Sequence, residues 1–297
     1  MSDIVKFKII SEYNAFNKNE TLHPLVSVID LSKADPRKGS VMSFDFYTVL
    51  LKDVKCGDLH YGRNTYDYQE GTLVFLAPGQ IIGVENDEFY QPKGYALVFH
   101  PDLLHGTSLG RHMSDYTFFS YEVHEALHLS ERERQIIFDC FSKIEFELRQ
   151  AVDKHSKKLI VSNIELFLDY CVRFYDRQFI TRDNVHKSVI ERFENLLNAY
   201  FKSDKPQLLG LPSVGYCAEQ LNLSANYFGD LIKKETGKSA QENIQLKLID
   251  LAKEKIFDPT KSVSEVAYEL GFKYPQHFSR VFKQRVGYTP NEYRSLN

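Results

Sequence analysis

Gln276, Ser279 and Arg280 stand at i, i+3 and i+4, so they share one surface of a helix. Their chemistry suits the edges of base pairs. Arg donates twice to guanine O6 and N7, and Gln pairs with adenine N6 and N7, each worth about 1–3 kcal/mol of discrimination. Asn226, Gly229 and Asp230 repeat the spacing fifty residues earlier. Lys233 and Lys283 lie one turn beyond the two triplets, where an ammonium group can meet a phosphate. The first triplet is the poorer reader. Gly229 has no side chain and weakens a helix interior by up to about 1 kcal/mol relative to Ala. Asp230 is repelled by phosphate and can accept only from cytosine N4. The sequence therefore assigns more of the direct readout to the second triplet.

A second group of polar and aromatic residues lies earlier: His60, Tyr61, Arg63, Tyr66 and Tyr68. Aromatic faces and a guanidinium suit a sugar or a carboxylate-bearing effector, and the same tyrosines suit packing at a sheet rim. His100 and His105 stand apart from any ligand set, and His124 and His128, although four apart, precede a helix start rather than sit on one. No GxSxG, phosphate-binding loop or GxGxxG motif occurs. The expectation is no catalytic residue, no metal, no cofactor and no enzyme. Cys56, Cys140, Cys171 and Cys217 are far apart, without a CxxC pair, which fits a reducing cytoplasm rather than a disulfide framework.

The triplets belong to an internal repeat. Ser213, Val214, Ala218 and Leu221 match Ser262, Val263, Ala267 and Leu270 at an offset of 49; after one insertion Phe228, Leu231, Ile232, Lys233 and Gly237 match Phe278, Val281, Phe282, Lys283 and Gly287 at an offset of 50. Each copy spells helix, tight turn, helix. Ser262 and Glu265 form a capping box, and Val263, Val266, Ala267 and Leu270 make the apolar stripe. Gly271, and Asn222 in the first copy, occupy the place of a left-handed terminating residue. The second helix of each copy turns Phe228, Leu231 and Ile232, or Phe278, Val281 and Phe282, to the core. Its opposite face is the triplet, the arrangement in which a second helix enters a major groove. Ser239 and Glu242 cap a connecting helix expected over 240–257, stopped by Asp258 and Pro259. Its eighteen residues span roughly 27 Å, enough to hold two reading helices about one turn of duplex, ~34 Å, apart. Thr289, Pro290 and Glu292 start a final helix.

The rest of the chain must carry and position this pair. At 297 residues, with 43% apolar and 26% charged residues, the chain has room for two cores. Net charge is −3 overall, yet residues 206–297 hold 12 Lys and Arg against 10 Asp and Glu, a balance that permits a nucleic-acid surface without establishing one. No apolar run reaches the roughly 20 residues of a membrane helix, and no signal peptide is read at the N-terminus. Residues 1 to about 125 read as strands and turns, with short apolar runs at 46–51, 72–76 and 95–99 bounded by turn signals, hence a β-barrel or sandwich. Beyond 127 the period becomes helical. Ser130 and Glu133 cap one amphipathic helix and a second covers 156–176; the pair suits barrel packing, a linker or a dimer seam. From about 188 everything reads helical. The predicted class is α+β: a barrel over 1–125, a helical linker or dimerisation segment over 126–187, and an all-α domain with two helix-turn-helix units over 188–297.

The stretch 262–294, SVSEVAYELGFKYPQHFSRVFKQRVGYTPNEYR, resembles the signature of AraC/XylS-family transcription regulators. Ala267 with Gly271-Phe272, Phe278-Ser279-Arg280 with Phe282-Lys283, Gly287 with Thr289-Pro290, and Tyr293-Arg294 stand in order. The resemblance covers about 190–297. The run from Glu70 through Pro78-Gly79 resembles the cupin-type sensor barrel common in that family, although His60-Tyr61-Gly62 lacks the second His of metal-bearing cupins. The resemblance implies a bacterial, cytoplasmic regulator or activator in which a sensory or dimerising barrel accompanies two helix-turn-helix units on double-stranded promoter DNA. Asn226, Gly229 and Asp230, then Gln276, Ser279 and Arg280, would face the bases and Lys233 and Lys283 the phosphates. RNA polymerase, a small-molecule effector and a second copy of the chain are its candidate partners, and no membrane is implied.

Overall fold

A computed structural model describes residues 4–52, 58–61, 64–66, 71–85, 88–121, 125–181 and 183–295, the backbone alone at 58–61, 64–66, 84–85, 180–181 and 183–188. The chain divides into two compact units, Met1–Thr181 and Arg182–Asn297. Among the described residues no helix is long and apolar enough to cross a membrane.

Among the described residues the first unit holds ten strands: β1 (Ile4–Phe7), β2 (Val26–Asp30), β3 (Val41–Phe44), β4 (Tyr47–Lys52), β5 (Asp58–Tyr61), β6 (Asn64–Tyr66), β7 (Thr72–Leu76), β8 (Ile81–Glu85), β9 (Tyr95–Phe99) and β10 (Leu127–His128). They form two five-stranded sheets, ordered β1-β3-β8-β5-β6 and β10-β7-β4-β9-β2. Among the described ladders β1 and β3 pair in parallel and the others are antiparallel. The runs at 72–76 and 95–99 become β7 and β9, because their continuous apolar sequence is what a strand buried on both faces requires. Leu50, Val74 and Ala96 align across β4, β7 and β9. They meet Phe44 and Ile82 of the other sheet in a shared core. On the opposite face Phe75 packs on Phe118, ring centroids 4.4 Å apart, and Phe118 stacks on Tyr175 at 5.5 Å.

Of the barrel or sandwich expected from the sequence, the described strands form a pair of facing sheets and not a closed barrel: among them no ladder joins one sheet to the other. The outer strands of the second sheet are covered by helix instead of by strand, which removes the need to close. Helix α1 (Ile10–Phe16) contacts β2. At β10, the His128 N–H donates to Gln178 Oε1 at 2.8 Å, and Gln178 Nε2 donates to the Ala126 carbonyl at 3.2 Å. The region read as strands and turns also contains α1 and the short helices α2 (Pro101–Leu104) and α3 (Ser108–His112). They are four to seven residues long. That is too short for helical periodicity to register in a sequence window.

Two longer helices complete this unit, α4 (Glu131–Leu148) and α5 (Ser156–Thr181). The Ser130–Glu133 capping box forms as expected: Glu133 Oε2 accepts from the Ser130 N–H at 2.8 Å. Arg177 then grips Glu133 with two nitrogens, at 3.0 and 2.8 Å, and donates to the His128 carbonyl at 2.6 Å. One bidentate pair thus joins α5 to the start of α4 and to β10. Both helices belong to the first unit.

The second unit is all helix: α6 (Asp183–Lys202), α7 (Lys205–Leu209), α8 (Val214–Gln220), α9 (Ala225–Thr236), α10 (Ala240–Ile256), α11 (Val263–Glu269), α12 (Pro275–Val286) and α13 (Pro290–Ser295). The described protein is therefore mixed α and β, with a sheet region first and a helical domain after it.

Candidate nucleic-acid interface

The repeat folds as two copies of one supersecondary unit, α8–α9 and α11–α12. Ser213 accepts from the Tyr216 N–H at 3.0 Å and starts α8; Ser262 accepts from the Glu265 N–H at 3.2 Å and starts α11. Both first helices stop in the same way. The N–H groups of Asn222 and Leu223 return to the carbonyls of Glu219 and Ala218, at 3.0 and 2.9 Å. Those of Gly271 and Phe272 return to Tyr268 and Ala267, at 3.0 Å each. This is the paired-bond stop that a left-handed residue permits. The small side chains predicted to allow close helix crossing, Ala218 and Ala267, are buried.

The second helix of each copy is held from behind. Phe228, Leu231 and Ile232 of α9 are fully buried, and Phe193 of α6 meets Phe228 edge-on at 5.0 Å. Phe278 and Phe282 of α12 are fully buried, with Phe272 and Tyr293 closing around them at 5.3 and 5.5 Å. Val281 is only half-buried. Gly237 and Gly287 end these helices at φ +70° and +90°. Their N–H groups donate to the carbonyls of Lys233 and Lys283 at 2.9 and 2.8 Å.

The predicted reading residues lie on the faces left over. On α12, Gln276, Arg280 and Lys283 are exposed and Ser279 is half-buried. On α9, Asn226 and Lys233 are exposed while Gly229 and Asp230 are half-buried. A Cβ added to Gly229 would meet nothing within 4 Å, so this glycine opens the face rather than admitting a neighbouring helix. Among the described residues Arg280 has no ion-pair partner, which leaves its guanidinium available. The charges of the two helices differ. Helix α12 carries Arg280, Lys283 and Arg285 and no acid, whereas α9 sets Lys233 and Lys234 against Asp230 and Glu235.

The connecting helix α10 starts with the expected capping box, Glu242 Oε2 accepting from the Ser239 N–H at 2.8 Å. It ends one residue earlier than predicted, at Ile256, a length of about 26 Å. Polar contacts fix it to the second copy. Arg285 donates to Gln245 Oε1 at 2.7 Å. Glu269 of α11 receives Lys255 at 2.8 Å and Lys261 at 2.5 Å, and these two ammonium groups hold its carboxyl below the usual glutamate range. Arg294 of α13 donates to the carbonyls of Ile256 and Lys261, at 2.6 and 2.9 Å, tying the last helix to the end of α10. The sequence gives no role to Arg285 or Lys273, and to Arg294 only its place in the signature. Arg285 and Arg294 are positioning residues of α12 and α13, and Lys273 lies over the Tyr274 ring, 5.7 Å from its centroid, with both side chains exposed at the start of α12. Only the partners in space distinguish them from surface residues.

Residues 217–295 match the family described as "Helix-turn-helix domain". A Bacillus subtilis protein described as "Uncharacterized HTH-type transcriptional regulator YfiF" is 31% identical over 141 residues, 48% of this chain and 41% of that protein. The "Uncharacterized transcriptional regulatory protein YesN" of the same organism is 40% identical over 78 residues, 26% of this chain and 21% of that one. The chain thus spans less than half the length of either relative. Among solved structures, the C-terminal domain of AraT, a response regulator from Geobacillus stearothermophilus, is 25% identical over 37% of this chain and 85% of that one, with a TM-score of 0.33.

The predicted effector group is described only in part. His60 and Tyr61 lie on β5 and Tyr66 on β6, paired as His60 with Thr65, Tyr61 with Asn64 and Leu59 with Tyr66. Arg63 and Tyr68 lie outside the described residues, as do Cys56 and His124.

Proposed function

We propose that this chain is a sequence-specific, DNA-binding transcription regulator of the AraC type, acting in the cytoplasm on double-stranded promoter DNA and modulated through its first unit by a small molecule or a partner. One observation carries the reading: a single helical unit presents the same helix-turn-helix twice, with the outward face of each second helix left uncovered. Gln276, Ser279 and Arg280 are the principal base readers. Asn226, Gly229 and Asp230 form the weaker contact, and Lys233 and Lys283 meet phosphates. The charge contrast between α12 and α9 supports that ranking, because a helix with three cations and no acid is the more strongly drawn to a phosphate backbone. The 1–125, 126–187 and 188–297 organisation is retained as sensor, linking or dimerising segment, and DNA-binding domain, with the sensor a variant of the cupin type.

The test is selection of bound duplexes from a random pool by the full chain, followed by anisotropy titrations of the enriched sequence across a salt series. A common motif and a log–log salt slope of about −0.9 per phosphate contact are expected. Recovery of no motif, with affinity indifferent to salt, would overturn the reading and leave a protein-binding adaptor.

A further inference from the structure

A cleft of about 310 Å³ opens inside the helical unit, between α6, the end of α9 and α10. Two helix faces line it. Glu194 and Asn198 come from α6 at i and i+4; Asn243, Lys247 and Asp250 come from α10 at i, i+4 and i+7. Phe193 and Leu197 of α6 are buried and supply its apolar part.

The polar groups differ in what they have left to offer. Thr236, on the α9 side, is spent: its Oγ1 lies 2.8 and 3.0 Å from the carbonyls of Ile232 and Lys238 and accepts from Asn243 Nδ2 at 3.0 Å. Asn243 Nδ2 also reaches the carbonyls of Lys238 and Ser239, at 3.3 and 3.0 Å. These bonds tie the end of α9 to the start of α10 and fix that wall. Glu194, Asn198 and Lys247 are the opposite case: among the described residues, none of their side chains has a hydrogen-bond or ion-pair partner. Asp250 has Lys253 at 3.9 Å, a long contact. Lys247 is half-buried and stands three residues before Asp250 without pairing to it. A cation N-terminal to an acid is the poorer order for such a pair.

An ammonium and two carboxylates that share one cleft without satisfying one another select a guest carrying both charges. A fatty acid would leave Glu194 and Asp250 unanswered. A polyamine would leave Lys247 unanswered and be repelled by it. A sugar would meet no charge and waste the apolar part. Size agrees: a water takes about 10–15 Å³ of such space, so an amino acid of roughly nine to twelve non-hydrogen atoms fits with room for bridging waters.

We propose that this cleft binds a free α-amino acid with a bulky apolar side chain, of the leucine or phenylalanine class. Glu194 and Asp250 take its ammonium, Lys247 and Asn198 Nδ2 its carboxylate, and Phe193 and Leu197 its side chain. Occupied, the cleft joins α6 to α10 beside the fixed end of α9, and so sets the first reading helix against the connector. That consequence rests on the proposed DNA-binding role; the binding itself does not.

The experiment is calorimetric titration of the full chain, without DNA, at neutral pH. The probes are L-phenylalanine, L-leucine, N-acetyl-L-phenylalanine, L-phenylalaninamide and glycine. One of the first two should saturate a single site in the millimolar range or tighter. The other three lack the ammonium, the carboxylate and the side chain in turn, and each should bind roughly tenfold more weakly or worse. Lys247→Gln and Glu194→Gln should each weaken the amino acid by about the same factor. Both replace side chains without a partner among the described residues, so circular dichroism should show the parent fold. Lys202→Gln, at an exposed position in the last turn of α6, should leave binding unchanged. No saturation, acetylated or amidated phenylalanine binding as tightly as phenylalanine, or either folded variant binding as well as the parent would overturn the proposal. An unfolded variant passes the decision to the other one and to the ligand series. Duplex selection is a separate measurement, so amino-acid binding without DNA binding sinks the regulator reading alone, and DNA binding without amino-acid binding sinks this one.

Discussion

Asn222 and Gly271 hold the same place in the two helix-turn-helix copies, and both take left-handed backbone, φ +56° and +91°. Each lets the next N–H turn back to a buried alanine carbonyl, Ala218 or Ala267. The residue types differ because the surroundings differ. A Cβ on Gly271 would lie 2.8 Å from the Pro206 carbonyl oxygen and 2.9 Å from the Gly210 carbonyl carbon, so only glycine fits where α7 crosses the turn. Asn222 is exposed, and asparagine tolerates this conformation.

Gly271→Ala is therefore expected to cost about 2–3 kcal/mol, from backbone strain plus the collision with the α7 segment. Asn222→Ala should cost less, about 1 kcal/mol of backbone strain without that collision. Asn222→Gly should lie within about 0.5 kcal/mol of the parent. Thermal unfolding of the three variants measures the order. Equal losses for the two alanine variants would mean that the crossing of α7 contributes nothing.

The parallel stop was legible because it is local: a capping Ser, an apolar stripe and a residue that accepts positive φ all lie within ten positions. The same holds for the Ser239 and Ser262 capping boxes and for Phe278 and Phe282 as core. The bounds of β7 and β9 were legible because burial on both faces writes an unbroken apolar run. What the sequence hid was long-range. Nothing near Gln178 announces that it covers the edge of β10, fifty positions away, so the two sheets read as one barrel. Helices α1 to α3, four to seven residues long, are shorter than the window in which a helical period shows.

Gly229 offers a test of what the first copy is for. Its Cβ position is open, and its backbone is ordinary helix, so Gly229→Ala should stabilise the protein by about 0.5–1 kcal/mol. A glycine on this open face would suit close approach of a duplex to the helix backbone. The same variant should therefore bind the selected duplex more weakly. A rise in melting temperature with unchanged affinity would remove the first copy's backbone from the interface.

Arg280 and Lys283 should separate specificity from affinity. Arg280→Ala is expected to cost about 1–3 kcal/mol on the selected duplex and to relax one base position. Lys283→Ala should weaken every duplex by a similar factor and lower the salt slope by about one. Asn226→Ala, on the weaker reader, should cost less than Arg280→Ala. Competition assays against single-base variants of the duplex measure all three. A larger loss from Asn226→Ala would reverse the ranking of the two copies.

Acid sensitivity should concentrate in the helical unit, where capping and bridging carboxylates hold the elements together. Glu242, Glu265 and Glu292 are drawn below their usual value of 4.5 chiefly by hydrogen bonds from the capping residues Ser239, Ser262 and Thr289, and Glu269 by Lys255 and Lys261. A carboxyl with a depressed pKa in the folded protein contributes stability that is fully present above its unfolded value and is lost as pH falls through the folded one. Melting temperature should then be flat through neutral pH and fall from about pH 4.5 downward. Glu269→Gln should lower it at neutral pH and flatten part of that fall, since the variant has no proton to take up between Lys255 and Lys261. Unfolding followed by circular dichroism from pH 7 to pH 3, a range of about four units around these carboxylates, checks the sign. A parent protein that gains stability on acidification through this range would show that these contacts do not govern it.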